Sequence, residues 1–213
     1  MNRIVLAVCA NNTVPFDFLD EYYRLRSKAV GHIESKGLFI DHNRNRAVNW
    51  ALEYSGWDYL LFVDPDMTFP PDLMERIGQY TDPVVGGLYW RHTLPEPIAG
   101  MFVSADPLYD PLLPGQLLPM MENPGLYPVD CLGAGCLAIR RDVLENWSSE
   151  CRPIFQTLST PDGSTLVGED VCFCWRLKQQ NIPVLLDTSV CCGHLSSHVT
   201  DKNTYLAAHK RPS

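Results

Sequence analysis

Several short apolar runs in this chain do not alternate with polar residues, and that restricts the fold more than any other feature. RIVLAVCA (residues 3–10), YLLFV (59–63) and the apolar part of DPVVGGLYW (82–90) are the clearest. A strand with one wet face alternates apolar and polar residues, whereas a strand covered on both faces reads as a continuous apolar run. Segments of helical composition lie between these runs: DFLDEYYRLRSKA, DHNRNRAVNWALEYSG and FPPDLMERIGQY. In the second of them Asp41 stands where an N-cap would and Gly56 where the helix would stop. Ala47, Val48, Ala51 and Leu52 form its apolar stripe. The two prolines of FPPD suit a first helical turn, where a missing N–H costs nothing. This β-α-β-α-β order predicts a doubly wound, mostly parallel α/β sheet through about residue 90.

Residues 94–128 break the pattern. LPEPIAG, DPLYDPLLPGQLLP and NPGLYP are dense in proline and carry few periodic signals, although Met101, Phe102, Leu112, Leu113 and Met120 are apolar enough to dock. A loop of that length in a compact domain points to function, here a small antiparallel addition or a lid. Regular structure resumes with CLGAGCLAIRRDVLENW, a glycine-kinked strand leading into a helix, then GEDVCFCWRLKQQN, a helix, and IPVLLDTSVCC, a strand. With 213 residues and 46% hydrophobic content the chain can bury one good-sized core. We therefore expect a single domain over residues 1–195, in two halves (1–93 and 129–195) separated by the Pro-rich excursion 94–128. A polar, loosely held tail (196–213) follows.

Composition removes several classes of function. No apolar run approaches the ~20 residues of a membrane helix. MNRIVLAVCANN reads as a first strand and not as a signal peptide, so the expected location is the cytoplasm. The eight cysteines fit that compartment as reduced thiols, with Cys9, Cys136, Cys172 and Cys174 inside apolar segments. Cys191, Cys192, His194 and His198 raise a zinc reading, but no second CxxC pair stands at a finger-like spacing. The net charge of −8 argues against a broad nucleic-acid footprint and leaves a local basic groove open.

Three motifs carry chemistry. Asp64 and Asp66, flanking Pro65, sit just past the end of the YLLFV strand, where open α/β sheets bind ligands. Two carboxylates so close repel unless a positive group joins them, and carboxylate oxygens are ligands for hard divalent cations. The same residues would also make an ordinary Asp-Pro turn. Glu169 and Asp170 open a helix after Gly168; the helix dipole alone favours acids there, and it keeps them ionised as a base must be. His194 follows the last strand, where a neutral, oriented imidazole could ligate a metal.

Taken in order, the DxD strand, the GAG strand, the GED helix and the GH ending resemble GT-A fold nucleotide-sugar glycosyltransferases. The similarity is greatest to small family-2-like enzymes of bacteriophages and metagenomes, and it includes the Arg-Asn helix start DHNRNRAVNWAL. It covers roughly residues 3–194. The resemblance implies a GT-A, Rossmann-like, mostly parallel sheet flanked by helices. It implies a nucleotide-sugar donor, with UDP-sugar favoured, and a Mn2+ or Mg2+ cofactor. Asp66 and His194 would ligate the cation, with Asp64 reaching it or the donor. Ala10, Asn11, Asn12, Asp41, Arg44 and Asn45 would line the donor pocket. Glu169 and Asp170 would face the acceptor hydroxyl, either of them as base.

The acceptor is open between a hydroxymethylated or otherwise modified DNA base and a saccharide or lipid-linked hydroxyl. Trp90, Tyr109 and Tyr127 are either stacking platforms for it or anchors of the Pro-rich segment. A non-catalytic nucleotide-sugar-binding module is the alternative outside enzymes. A nucleotidyltransferase or metal phosphohydrolase should carry a Gly-rich phosphate loop, which CANNTVP does not provide.

Overall fold

The structure, a computed structural model, describes residues 1–11, 14–91, 96–103, 106–148, 151–159, 163, 166–195 and 201–209. The first half runs β1 (Ile4–Ala10), α1 (Phe18–Arg26), β2 (Gly31–Lys36), α2 (Ile40–Glu53), β3 (Tyr59–Val63), the short β4 (Met67–Thr68), α3 (Leu73–Ile77) and β5 (Val84–Leu88). The Pro-rich stretch contributes β6 (Ala99–Phe102), β7 (Tyr109–Pro111), α4 (Pro114–Glu122) and β8 (Leu126–Val129). There follow β9 (Cys131–Leu132), β10 (Cys136–Arg140), α5 (Arg141–Glu145), a ribbon of β11 (Leu158–Ser159) and β12 (Leu166–Val167), and α6 (Glu169–Gln179). β13 (Val184–Cys191), β14 (Gly193–His194) and α7 (Lys202–His209) complete the chain.

Seven strands form the central sheet in the order β2-β1-β3-β10-β5-β13-β8. β2, β1 and β3 are mutually parallel, and β13 is parallel to β5. β10 is antiparallel to both neighbours, β3 and β5, and β8 is antiparallel to β13. The sheet is thus largely parallel, with one reversed strand in its middle.

The continuous apolar runs have the expected cause. Val5, Ala7 and Cys9 of β1 face Ala47, Val48 and Ala51 of α2, while Ile4, Leu6 and Val8 face Phe18 and Leu25 of α1 and Leu73 and Met74 of α3. Both faces of the sheet are covered, so every position of the strand is apolar.

Four details differ from expectation. β2 was not foreseen; at this sheet edge only Ile33 and Ser35 are buried, so GHIESK lacks an apolar run. Asp41 lies inside the first turn of α2, Phe39 holds the cap position, and the Asp41 carboxylate accepts from the His42 N–H at 2.8 Å. Trp90 is fully buried and anchors the core, so its ring cannot serve as a platform for an acceptor. Nor is α7 a loose tail: its Tyr205 is fully buried against Trp90. The Pro-rich segment does supply a small antiparallel addition, the sheet β7-β6-β9 beside α4. Among the described residues no helix is long and apolar enough to cross a membrane.

The small sheet closes tightly at Gly100, where an added Cβ would lie 2.2 Å from the Asp110 carbonyl oxygen. Gly100→Ala must push β6 and β7 apart. Urea denaturation is expected to show a loss of about 1–3 kcal/mol, the range for an overpacked site.

Candidate functional site

α2 begins its buried stripe with two polar residues, Asn43 and Arg44, ahead of Ala47, Val48 and Ala51. The Asn43 amide donates to the carbonyls of Ala10 and Gly37, both at 3.1 Å, and so closes the end of β1. Arg44, 3% exposed, reaches further. Its Nε donates to Glu169 Oε1 at 2.8 Å, its Nη2 to Asp64 Oδ1 at 3.0 Å, and its Nη1 to the Ala134 carbonyl at 3.3 Å. The guanidinium also lies over the Phe62 ring. Burial opposes its charge, but Asp64 and then Glu169 override that and hold it more firmly protonated than usual.

The acids around this cation have different environments. Burial raises the Asp64 carboxyl above its ordinary range and Arg44 pulls it back only in part. Asp170 is pushed up to about 6, first by burial and then by the neighbouring charge of Glu169. Its Oδ1 accepts from the Val171 N–H at 2.8 Å, in the first turn of α6. Cys9 borders the same space, and burial pushes its thiol up to about 12, so it stays neutral and is no nucleophile.

Asp66 and His194 are brought together by backbone pairing. β14 lies antiparallel to β4 with His194 opposite Met67, and the Leu195 N–H donates to the Asp66 carbonyl at 2.6 Å. His194 Nε2 stands 3.4 Å from Asp66 Oδ2. Its Nδ1 is 2.8 Å from the Trp90 carbonyl, which can only accept, so Nδ1 carries a proton. Burial lowers the affinity of the imidazole for a second proton. The bonds to Asp66 and Trp90 outweigh it, and the net shift is upward. A proton on Nε2 here occupies the place between carboxylate and imidazole that a cation could take.

Asp64, Asp66, Glu169, Asp170, His194, Arg44 and Asn11 all border one cleft of about 560 Å³ at the carboxyl ends of β1 and β3. Ala10 lies at the end of β1 with its side chain buried. Asn12 falls outside the described residues, as does His198 of the cysteine–histidine cluster. Asp41 and Asn45 are placed elsewhere, on a separate groove with Trp50 and Phe155. The Asn45 amide clamps the Phe155 backbone, with Nδ2 to the carbonyl at 2.6 Å and Oδ1 from the N–H at 3.0 Å. Among the described residues no three His, Cys, Asp or Glu side chains form a metal-binding group. Asp64 is turned to Arg44, which leaves Asp66 and His194 as the facing pair of candidate ligands.

Tyr89 and Ile98 also line the cleft and carried no signal of their own in the sequence. Tyr89 is legible through the glycines of GAG. Its hydroxyl accepts from the Gly135 N–H at 2.9 Å, and a Cβ on Gly133 would sit 2.1 Å from that oxygen. Of the other expected aromatics, the Tyr109 hydroxyl accepts from Arg91 at 3.2 Å and the Tyr127 hydroxyl donates to the Asn123 carbonyl. A larger cavity of about 700 Å³ lies in the Pro-rich addition, lined by Met101, Val103, Leu113 and Tyr205 and away from the clustered acids.

No protein-family model matches the chain, and no curated protein matches it. Solved structures do. A197 from STIV aligns with a TM-score of 0.62 at 19% identity, covering 91% of this chain and 86% of that one. GalNAc-T7, solved with UDP, GalNAc and Mn2+, aligns with a TM-score of 0.55 at 11% identity over 92% of this chain. The fold is GT-A-like. At these identities the likeness is one of architecture, and this chain matches only 44% of the GalNAc-T7 chain.

Removing the central cation should expose its role. Arg44→Met leaves Asp64 and Glu169 without their partner and is expected to destabilise the fold by about 3–5 kcal/mol in chemical denaturation, the range for a broken buried pair. The deficit should shrink as pH falls from 7 towards 5. Without Arg44 the folded-state pKa of Asp64, already raised by burial, lies further above its unfolded value, so the native state binds more protons and gains stability on acidification.

Proposed function

We propose that this protein is a metal-dependent glycosyltransferase that moves a sugar from a nucleoside diphosphate sugar, UDP-linked by preference, to an acceptor hydroxyl. The observation that carries this reading is the facing pair of Asp66 and His194, 3.4 Å apart, at the end of β3. Four carboxylates border the cleft against one guanidinium, so a diphosphate cannot approach unless a cation accompanies it. The donor set fits Mn2+ or Mg2+: a carboxylate oxygen, and an imidazole whose Nδ1–H is already committed to Trp90 so that Nε2 is directed at the site. When bound, such a cation supplies Lewis-acid stabilisation of the departing diphosphate.

The chain's own groups divide the remaining work. Asn11, which follows Ala10 at the end of β1, borders the space for the nucleoside. Asp64, oriented by Arg44, presents an acceptor oxygen to donor hydroxyls. Glu169 is committed to Arg44 and is only 7% exposed, which makes it a positioning residue and leaves Asp170 as the base. In an inverting displacement Asp170 takes the acceptor proton as the new glycosidic bond forms. The acids around the cleft and the net charge of −8 disfavour a polyanionic acceptor. A saccharide or lipid-linked hydroxyl is therefore the better match than a modified DNA base.

Calorimetry tests the donor half. Wild type is expected to bind UDP in a Mn2+-dependent manner, and Asp66→Ala is expected to lose that binding. If wild type binds no nucleoside diphosphate with or without metal, the proposal is wrong. Kinetics test the base. Asp170→Asn should lower kcat by about 10²–10⁴-fold, the usual contribution of a general base, while donor affinity is unchanged. Because Asp170 titrates at about 6, wild-type kcat should fall as pH drops through that value. The asparagine variant should show no such limb.

A further inference from the structure

The C-terminal helix α7 follows His194 in the chain, yet it packs far more firmly than a polar tail would. Tyr205 is fully buried, with its ring centroid 5.6 Å from that of Trp90 at an interplanar angle of 34°. Trp90 is also fully buried, and its indole N–H meets no acceptor among the described residues, so the ring is held by packing alone. The Trp90 carbonyl, in turn, is the group that takes the Nδ1–H of His194 at 2.8 Å. On its other side His194 meets the Tyr89 ring edge-on at 5.9 Å. The Trp90 backbone runs in a narrow ribbon, with Ile98 N–H donating to the Tyr89 carbonyl and Arg91 N–H to the Glu96 carbonyl, both at 3.0 Å.

We propose that Trp90 and Tyr205 are positioning residues for His194, so that docking of α7 and occupation of the Asp66–His194 pair by a divalent cation strengthen each other. The proposal rests on the metal-site reading above and adds to it the route by which the C-terminal helix reaches that site. Tyr205 fixes the Trp90 ring, the ring together with the Arg91 N–H bond to Glu96 fixes the Trp90–Arg91 peptide plane, and the carbonyl of that peptide fixes the tautomer and rotation of the imidazole. Partners that orient a ligating histidine through its second nitrogen act on metal affinity without touching the metal. Coupling of this kind is reciprocal: a cation that favours the held imidazole must also favour the docked helix.

The experiment is Mn2+ calorimetry on the full chain, in wild type, Tyr205→Ala, Tyr205→Phe, His194→Ala and the Tyr205→Ala/His194→Ala double variant. Measurements are made well below each unfolding midpoint. Tyr205→Ala should weaken Mn2+ binding by about 10-fold, the lower end for loss of such a partner. Tyr205→Phe, which keeps the ring, should bind as wild type does. With His194 already removed, Tyr205→Ala should cause no further loss, whereas a general loosening of the fold would act equally in both backgrounds. Hydrogen exchange on wild type needs no variant: Mn2+ should slow exchange in residues 202–209. Unchanged affinity in Tyr205→Ala, an equal loss without His194, or unaltered exchange would each overturn the positioning role while leaving the metal site standing. Failure of wild type to bind Mn2+ at all would overturn the metal-site reading and this inference with it.

Discussion

The candidate site is organised around one buried arginine. Arg44 ties α2 to the end of β3 through Asp64, and to the start of α6 through Glu169. Burying a guanidinium is costly unless its donors are matched, and here two carboxylates and a backbone carbonyl match them. The geometry has a consequence for chemistry. Successive residues on a helix point about 100° apart, as 3.6 residues per turn requires. Fixing Glu169 on Arg44 therefore fixes Asp170 beside it, one side chain turned into the protein and the next towards the cleft. Asp170, with its raised pKa, is held there through its neighbour's ion pair with Arg44.

A second constraint acts at the opposite wall. The two-residue strands β4 and β14 are too short to be stable alone, yet their pairing places His194 against Asp66. Met67 of β4 is buried in the same apolar cluster as Tyr89, and His194 of β14 meets the Tyr89 ring edge-on and bonds the Trp90 carbonyl. Gly133 and Gly135 lack side chains since the Tyr89 phenol occupies that volume. The GAG motif is thus explained by close packing against an aromatic ring that borders the cleft.

Much of this was legible in the sequence, and the exceptions have physical reasons. The apolar run ending in Asp64 and Asp66, the acids opening α6 and the histidine after β13 converge on one cleft, and each adjoins or opens an element whose type the local pattern encodes. Asp41 and Asn45 border a different groove from Arg44. Both are half-buried, and the Asn45 amide is committed to the Phe155 backbone, whereas Arg44 turns to Asp64 and Glu169. Helix phase does not reveal this, because Asp41 stands seven residues before Val48 and so shares the side of α2 that carries the apolar stripe. β2 escaped notice because an edge strand with a single buried aliphatic residue has almost no apolar signature. The reversal of β10 was invisible for a different reason: a strand covered on both faces reads as apolar whichever way it runs. α7 was missed because its burial rests on Tyr205, a single ring in a polar segment.

The reversed strand also bears on how the chain assembles. β3 and β5 are not neighbours; β10, which emerges more than forty residues after β5, lies between them. As the chain leaves the ribosome, β1, β2 and β3 can form a parallel ribbon. The free edge of β3 then stays open, a row of unpaired backbone groups above an apolar surface. Residues 1–93, although they hold most of the candidate donor-side residues, contain no strand that joins β3 to β5. Only the arrival of residues 136–140 joins the two parts of the sheet, and only then does Gly135 meet Asp64 and Tyr89. Closure across such a sequence separation is slow, and the interval before it is when the nascent chain is most exposed to aggregation.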